Sequence, residues 1–131
     1  MAQKKIELAI SADSELVHEH EVVWLNDGHR KTVVGDHYGD PIAGLIDRSH
    51  GWCASFGEGM IVYWLQQPFE EYLRDKKSHQ WVEWGRGNYT KFIESAQQSG
   101  PFEVEVTVIE DGAEARHLLK FSKAEGIVIE S

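Results

Sequence analysis

Turn-forming residues divide this chain into segments that are short for helices. The 131 residues include 12 glycines and 3 prolines, and the glycines are densest between Gly28 and Gly59. Because glycine and proline mark turns and loops, the stretches between them are interpreted as short strands. Met60–Leu65 has no charged or small polar residue, and a strand that is apolar at every position is covered on both faces. We expect this segment to be a central strand.

Other segments have the pattern of paired strands. Lys4–Ile10 and Leu16–Leu25 are rich in apolar and β-branched residues and are separated by a polar turn cluster, which predicts an opening hairpin. Phe102–Val108 alternates apolar and polar residues, so one of its faces is expected in a core. Asp111-Gly112 predicts a hairpin turn, and Ile127–Ile129 is expected to be the last strand.

Two segments carry helix signals. Residues 89–99 follow Asn88, a good N-cap, and precede Gly100 and Pro101, which are typical of a helix end. Three apolar residues of this segment fall on one helical face: Phe92, Ile93 and Ala96. Pro68 indicates a second, short helix over residues 68–74. The predicted fold class is α+β: a β-dominated, mostly antiparallel twisted sheet or partial barrel of short strands, with one clear helix and one short helix.

Length and cysteine content restrict the organisation and the compartment. A chain of 131 residues and 14.9 kDa is expected to form one domain, residues 1–131. Its single cysteine, Cys53, cannot form an internal disulfide, which favours a reducing cytoplasm. The longest apolar run is far shorter than the roughly 20 residues of a membrane-spanning helix, and the first residues lack the apolar core of an export signal.

Acidic residues exceed basic residues by 22 to 13, which gives a formal net charge of −9. The excess lies in residues 1–66 and 101–131, whereas residues 67–100 hold equal numbers of each sign. Nucleic-acid binding requires a cationic face for the phosphate backbone, so this charge disfavours a nucleic-acid partner. It favours rapid association with a basic protein.

A short pattern occurs twice, in His50–Gly59 and in His79–Gly87. Both segments read His-x-Trp, followed by an aromatic residue and Gly-x-Gly. One interpretation is that they form two edges of a binding groove, where indole rings supply contact area and glycines allow close approach. The other, more common, interpretation is two strand ends that each need a core aromatic residue and a glycine bulge.

Motifs for catalysis or cofactors are sparse. His18 and His20 are a weak candidate pair of metal ligands, since residues i and i+2 share a strand face, but no spacing selects a third ligand. Cys53 with His50 nearby has the residue types of a thiol nucleophile, although a lone cysteine is more often a small core residue. The sequence lacks a dinucleotide fingerprint, a phosphate-binding loop and a Gly-x-Ser-x-Gly elbow. No cofactor and no catalytic residue are predicted.

These observations favour a non-enzymatic acidic protein-binding domain. It is interpreted as a stoichiometric inhibitor or immunity-type antidote that neutralises a basic, nuclease-like partner. Carboxylates would steer and pair with lysine and arginine, and one or two indoles would anchor the contact. The predicted partner-binding residues are Asp36, Asp40, Asp47, Glu58, Trp52, Trp81 and Trp84.

Other functions stay open. An aromatic-rich β-protein can bind a glycan or another ligand by stacking and hydrogen bonding. A small metal-dependent enzyme that uses His18 and His20 is a further alternative, as is a structural subunit of a larger assembly. The expected state is a monomer or a small homo-oligomer, with neither nucleic acid nor membrane as a partner.

Overall fold

The computed structural model describes residues 6–87 and 90–130. They form three antiparallel sheets of four strands, and neighbouring strands follow one another in the chain. Sheet 1 comprises β1 (Ile6–Ile10), β2 (Glu15–Glu19), β3 (Val22–Asn26) and β4 (Lys31–Asp36). Sheet 2 comprises β5 (Ala43–Ile46), β6 (Trp52–Gly57), β7 (Gly59–Trp64) and β8 (Trp81–Trp84). Sheet 3 comprises β9 (Phe92–Gly100), β10 (Glu103–Glu110), β11 (Ala113–Ser122) and β12 (Gly126–Ile129).

Sheet 2 lies between the other two sheets. Every residue of β6 and β7 is buried, and successive side chains of a strand point to opposite faces. Trp52 and Val62 belong to a core formed with sheet 3. Cys53 and Tyr63 belong to a second core, formed with sheet 1. The apolar run that begins at Met60 therefore is a central strand, as the sequence predicts.

The core between sheets 2 and 3 follows the alternation seen in the sequence. Val104, Val106 and Val108 are all fully buried, which confirms the prediction that one face of this strand lies in a core. Trp52 and Phe121 pack edge to face with ring centroids 4.8 Å apart, a favoured aromatic geometry. Large apolar side chains from both sheets thus fill one continuous layer.

The helix predicted for residues 89–99 is wrong, and the α+β assignment is wrong with it. Most of this segment is β9, while Asn88 and Tyr89 fall outside the described residues. Gly100, the expected helix cap, instead ends the strand before a turn. Residues 6–87 and 90–130 contain no α-helix, and hence no helix long and apolar enough to span a membrane.

A bulge in β9 explains the helix-like spacing of its apolar residues. The register between β9 and β10 shifts at Glu94, and one extra residue in a strand reverses the alternation of faces. Ile93, which is 3% exposed, and Ala96 therefore pack on the same core. Phe92, the third residue of the predicted helical face, is 59% exposed.

The short helix predicted for residues 68–74 is also wrong. The segment contains neither helix nor strand, and it is tied to β4 at the edge of sheet 1. The backbone amide of Tyr72 donates to the carbonyl of Val33 at 2.9 Å, and the carboxylate of Glu71 accepts the amide of Val33 at 2.8 Å. The first bond satisfies a backbone amide that a helix would pair internally, and both bonds hold the segment against β4.

The predicted opening hairpin contains an additional turn. Leu16–Leu25, expected as one strand, reverses at His20, whose φ is +54°, and becomes β2 and β3. Lys4 and Lys5 fall outside the described residues. At the other end of the chain, the predicted turn at Asp111-Gly112 and the predicted last strand are both confirmed.

Candidate functional site

Two glycine-flanked residues of opposite charge meet at one end of sheet 2. Glu58 separates β6 from β7 at the tip of their hairpin, and Arg86 lies just after β8. Arg86 Nη2 is 3.4 Å from Glu58 Oε1. Gly59 permits this approach, because its φ is +70° and an added Cβ would lie 2.4 Å from Arg86 Cγ. The two Gly-x-Gly segments of the repeated pattern are therefore in direct contact.

Glu58 is a buried carboxylate that joins three separate segments. It is 4% exposed, accepts the backbone amide of Tyr38 at 2.9 Å and lies 3.6 Å from Arg74 Nη2. Arg74 and Arg86 also donate to the carbonyl oxygen of Asp36, at 2.8 and 2.7 Å. A buried charge is costly unless it is paired and hydrogen-bonded, so these contacts hold the three segments together.

His37 adjoins this ion-pair network as a neutral imidazole. Its Nδ1 donates to the carbonyl of Glu58 at 3.1 Å, so its Nε2 accepts the hydroxyl of Ser55 at 2.8 Å. Burial is the main cause that lowers the pKa of His37 from 6.5 to about 4, and the guanidinium groups of Arg86 and Arg74 act in the same direction. The ring therefore anchors the hairpin tip without adding charge.

A polar cavity of about 460 Å³ opens beside the network, in the size range of ligand sites. Tyr38 lines it and is 66% exposed, yet its ring is covered by Arg74, whose guanidinium carbon lies 4.0 Å from the ring centroid. Trp84 contributes a second, half-buried ring. The Arg86 side chain is 10% exposed, and its Nη1 is buried without a hydrogen-bond partner among the described residues.

Carboxylates outnumber cations around the cavity. The charged residues that line it are Glu58, Asp75, Glu83, Arg74 and Arg86. Asp36 and Asp40 lie two residues to either side of Tyr38 in the sequence, and the carboxylate of Asp36 lies 3.8 Å from Arg74 Nη2. Glu58, Glu83 and Asp36 pair with the guanidinium groups of Arg74 and Arg86. Since the carboxylates outnumber the two cations, the charge around the cavity is negative on balance.

The predicted partner-binding residues separate into two groups. Asp36, Glu58 and Trp84 come together at the cavity, although Glu58 is engaged in the internal network. The backbone of Asp40 lies near Gly57, the residue before Glu58, because its carbonyl oxygen is 3.5 Å from the position of a Cβ added to Gly57. The structure thus gathers part of the predicted set at one end of sheet 2.

The other predicted residues lie in structural positions. Trp52 is fully buried and donates its indole N–H to the carbonyl of Pro101 at 2.8 Å. Trp81 is 4% exposed and packs on Tyr72 with ring centroids 4.9 Å apart. Asp47 is 5% exposed and accepts the amide of Gly51 at 2.9 Å. None of these three side chains reaches the described surface as a contact for a partner.

The two histidines considered as metal ligands do not share a strand face. His18 is 4% exposed and donates from Nδ1 to the carbonyl of His20 at 2.9 Å, while His20 occupies the turn after β2. The described ranges hold no group of three or more His, Cys, Asp or Glu side chains placed to bind a metal ion.

Cys53 is fully buried, and burial raises the pKa of its thiol, which opposes a nucleophilic role.

Sequence reasoning missed Tyr38 and Arg74 as members of the site. Neither residue stands in a recognisable motif, and their contacts are with residues distant in the sequence. Arg86 could have been predicted from the sequence, because the repeated Gly-x-Gly pattern carries a glutamate at position 58 and an arginine at position 86. Opposite charges at matching positions of two such segments predict that the segments meet.

Comparison with known proteins adds no family to this geometry. The chain matches no protein-family model, no curated protein and no solved structure. The chemistry of the cavity and its rim is therefore the basis for a functional assignment.

Proposed function

We propose that this chain is a non-enzymatic protein-binding domain that recognises a basic protein through Tyr38 and the acidic residues around the polar cavity. The observation that carries the proposal is the state of Tyr38, which is 66% exposed but held in place by Arg74. Arg74 is itself fixed by the carbonyl of Asp36 and by Glu58. An exposed aromatic ring that is already ordered loses little entropy on binding, and such rings are frequent interface anchors.

The surrounding charge supports a basic partner. Asp36 and Asp40 flank Tyr38 in sequence, and Asp75 lines the same cavity. Negative charge around an aromatic anchor favours encounter with a surface rich in lysine and arginine. Within this proposal the protein is a stoichiometric inhibitor or immunity-type antidote of a nuclease-like protein, located in a reducing cytoplasm that suits its free Cys53.

The proposal is tested by capturing the partner with tagged protein from a lysate of its own source and measuring the affinity of the purified pair. We expect a basic protein bound at one-to-one stoichiometry, with an association rate that falls as salt is raised. Tyr38→Ala should weaken the complex about 30-fold, which corresponds to about 2 kcal/mol.

Phe102→Ala is the matched control, because Phe102 is a similarly exposed ring, 54%, beside Trp64 rather than at the cavity. It should leave the affinity unchanged. Equal effects of the two variants, an acidic partner, or an association rate that is independent of salt would contradict the proposal.

A hydroxyl-rich ligand such as a glycan is a second candidate for the same cavity. The favouring observation is Arg86 Nη1, a buried donor without an acceptor among the described residues, in a residue that lines the same cavity as Tyr38 and Trp84. Screening on a glycan array tests this candidate. Binding that is lost in Arg86→Lys, which keeps the charge but not the planar fork, supports it, and an array without signal rejects it.

A further inference from the structure

A second cavity lies at the opposite end of the β6–β7 hairpin from Glu58. Its volume is about 490 Å³, and its walls are mainly the apolar side chains of Trp64, Leu65, Phe102 and Phe121. Phe102 is 54% exposed, which leaves a large aromatic surface at the cavity in contact with water. Concave, mainly apolar cavities of this size are typical of small-molecule sites.

Trp64, which lines the cavity, has an unsatisfied hydrogen-bond donor. Trp64 is 6% exposed, and its indole Nε1 is buried without a partner among the described residues. The neighbouring buried indole of Trp52 shows the usual solution, because it donates to a carbonyl at 2.8 Å. A buried donor without an acceptor is destabilising, so a ligand oxygen that reached Trp64 would be favoured.

The same cavity is bordered by a cation, although the chain as a whole is acidic. Lys123 lines it, with Nζ 5.8 Å from the centroid of the Trp64 ring. Lys77 lines an adjoining cavity that shares Gln66 and Lys123. Within the described part of the chain, neither ammonium group has a carboxylate within 4.0 Å. Unpaired cations beside an apolar cavity complement an anion attached to an apolar body.

We propose that this cavity binds a small carboxylic acid with an apolar alkyl or aryl body. The body occupies the space between Trp64, Phe102 and Phe121, and the carboxylate accepts hydrogen bonds from Lys123 and from the indole N–H of Trp64. The site is separate from the Tyr38 surface, so the result of its test does not depend on the protein-binding proposal.

The test is a titration of the full chain with octanoate. Binding is measured from the shift of the Trp64 indole N–H signal in two-dimensional NMR spectra. That signal is identified among the 5 tryptophans by its through-space contacts to Phe102 and Phe121. We expect a saturable shift with octanoate. Octan-1-ol and octylammonium, which have the same chain without the negative charge, should bind at least about tenfold more weakly.

Two variants separate a specific site from general adsorption. Lys123→Met keeps the apolar stem and should weaken octanoate binding at least about fivefold, by loss of one charge-assisted bond. Arg116→Met, on the exposed face of β11, removes the same charge elsewhere and should have no effect. Phe102→Ala should also weaken binding, because it removes an exposed part of the wall. No saturable shift, equal binding of octanol, or equal effects of the two charge variants would overturn the proposal.

Discussion

His37 occupies a fully buried position in which its proton content differs between the folded and unfolded states. Burial lowers its pKa from 6.5 to about 4. Between these values the unfolded chain takes up a proton on His37 and the folded chain does not. Stability therefore rises with pH across this window and reaches its full value above about pH 6.5.

We predict that His37 alone contributes about 3 kcal/mol to the change in unfolding free energy between pH 4 and pH 6.5. Urea unfolding at a series of pH values measures it. His37→Asn should flatten this part of the profile, whereas His29→Asn, at an exposed turn position, should retain it. Parallel profiles for wild type and His37→Asn would show that the buried ring is not responsible for this pH dependence of the unfolding free energy.

Gly59 allows Glu58 and Arg86 to meet because it has no side chain. Its φ is +70°, and a Cβ would lie 2.4 Å from Arg86 Cγ and 2.6 Å from the carbonyl oxygen of Trp84. Gly126 has the same φ of +70° but no atom within 4 Å of a Cβ. Substituting alanine at Gly126 therefore tests backbone strain alone, whereas substituting it at Gly59 tests strain together with a steric clash.

Gly126→Ala is expected to cost about 1 kcal/mol through backbone strain alone. Gly59→Ala should cost at least about 2 kcal/mol more, because the neighbouring backbone must also move. Thermal and urea unfolding measure both variants. Similar losses would mean that the contact between the two Gly-x-Gly segments yields easily.

At the level of elements, the side chains that β9 buries show whether this segment is a bulged strand or a helix. A helix over this segment would bury Phe92 and Ile93 together, whereas the strand buries Ile93 and leaves Phe92 59% exposed. We predict that Ile93→Ala lowers the unfolding free energy by about 2–4 kcal/mol, and that Phe92→Ala changes it by less than about 0.5 kcal/mol. Comparable losses in urea unfolding would contradict the strand.

The elements that sequence predicts well are those whose pattern has no interruption. The alternation at Val104, Val106 and Val108 and the continuous run from Met60 indicate strands directly, since period and burial agree. The helix prediction over β9 is wrong because the bulge at Glu94 changes the period of apolar residues within the strand. Bulges arise from pairing with a distant strand, so local sequence does not reveal them.

At the level of the whole molecule, sheet 2 contributes to both cores and should make unfolding a single event. Leu16 and Leu119 are both fully buried, one in each core. We predict that Leu16→Ala and Leu119→Ala each lower stability by about 2–5 kcal/mol and that each variant retains one transition. Fluorescence and far-ultraviolet circular dichroism should give coincident curves. Two separate transitions, with only one displaced by each variant, would contradict a shared central sheet.

The cavity was predictable only in part for the same long-range reason. Composition pointed to carboxylates and indoles, and Glu58 and Trp84 are at the site. Tyr38 and Arg74 reach it because sheet register and the docking of the segment around Tyr72 on β4 bring residues 36, 58, 74 and 86 together. Charge counts along a sequence contain no information about that convergence.

Successive side chains of β6 and β7 enter the two cores alternately, which makes the fold more sensitive to the number of residues in each strand than to which apolar residues they are. Substituting one apolar residue for another in β7 changes volume at one position of one core. Inserting a single residue before Val62 would instead move every following side chain of the strand to the opposite face, so that residues fitted to sheet 3 would be presented to sheet 1. Among related chains, β7 should therefore vary in side-chain identity but keep its length.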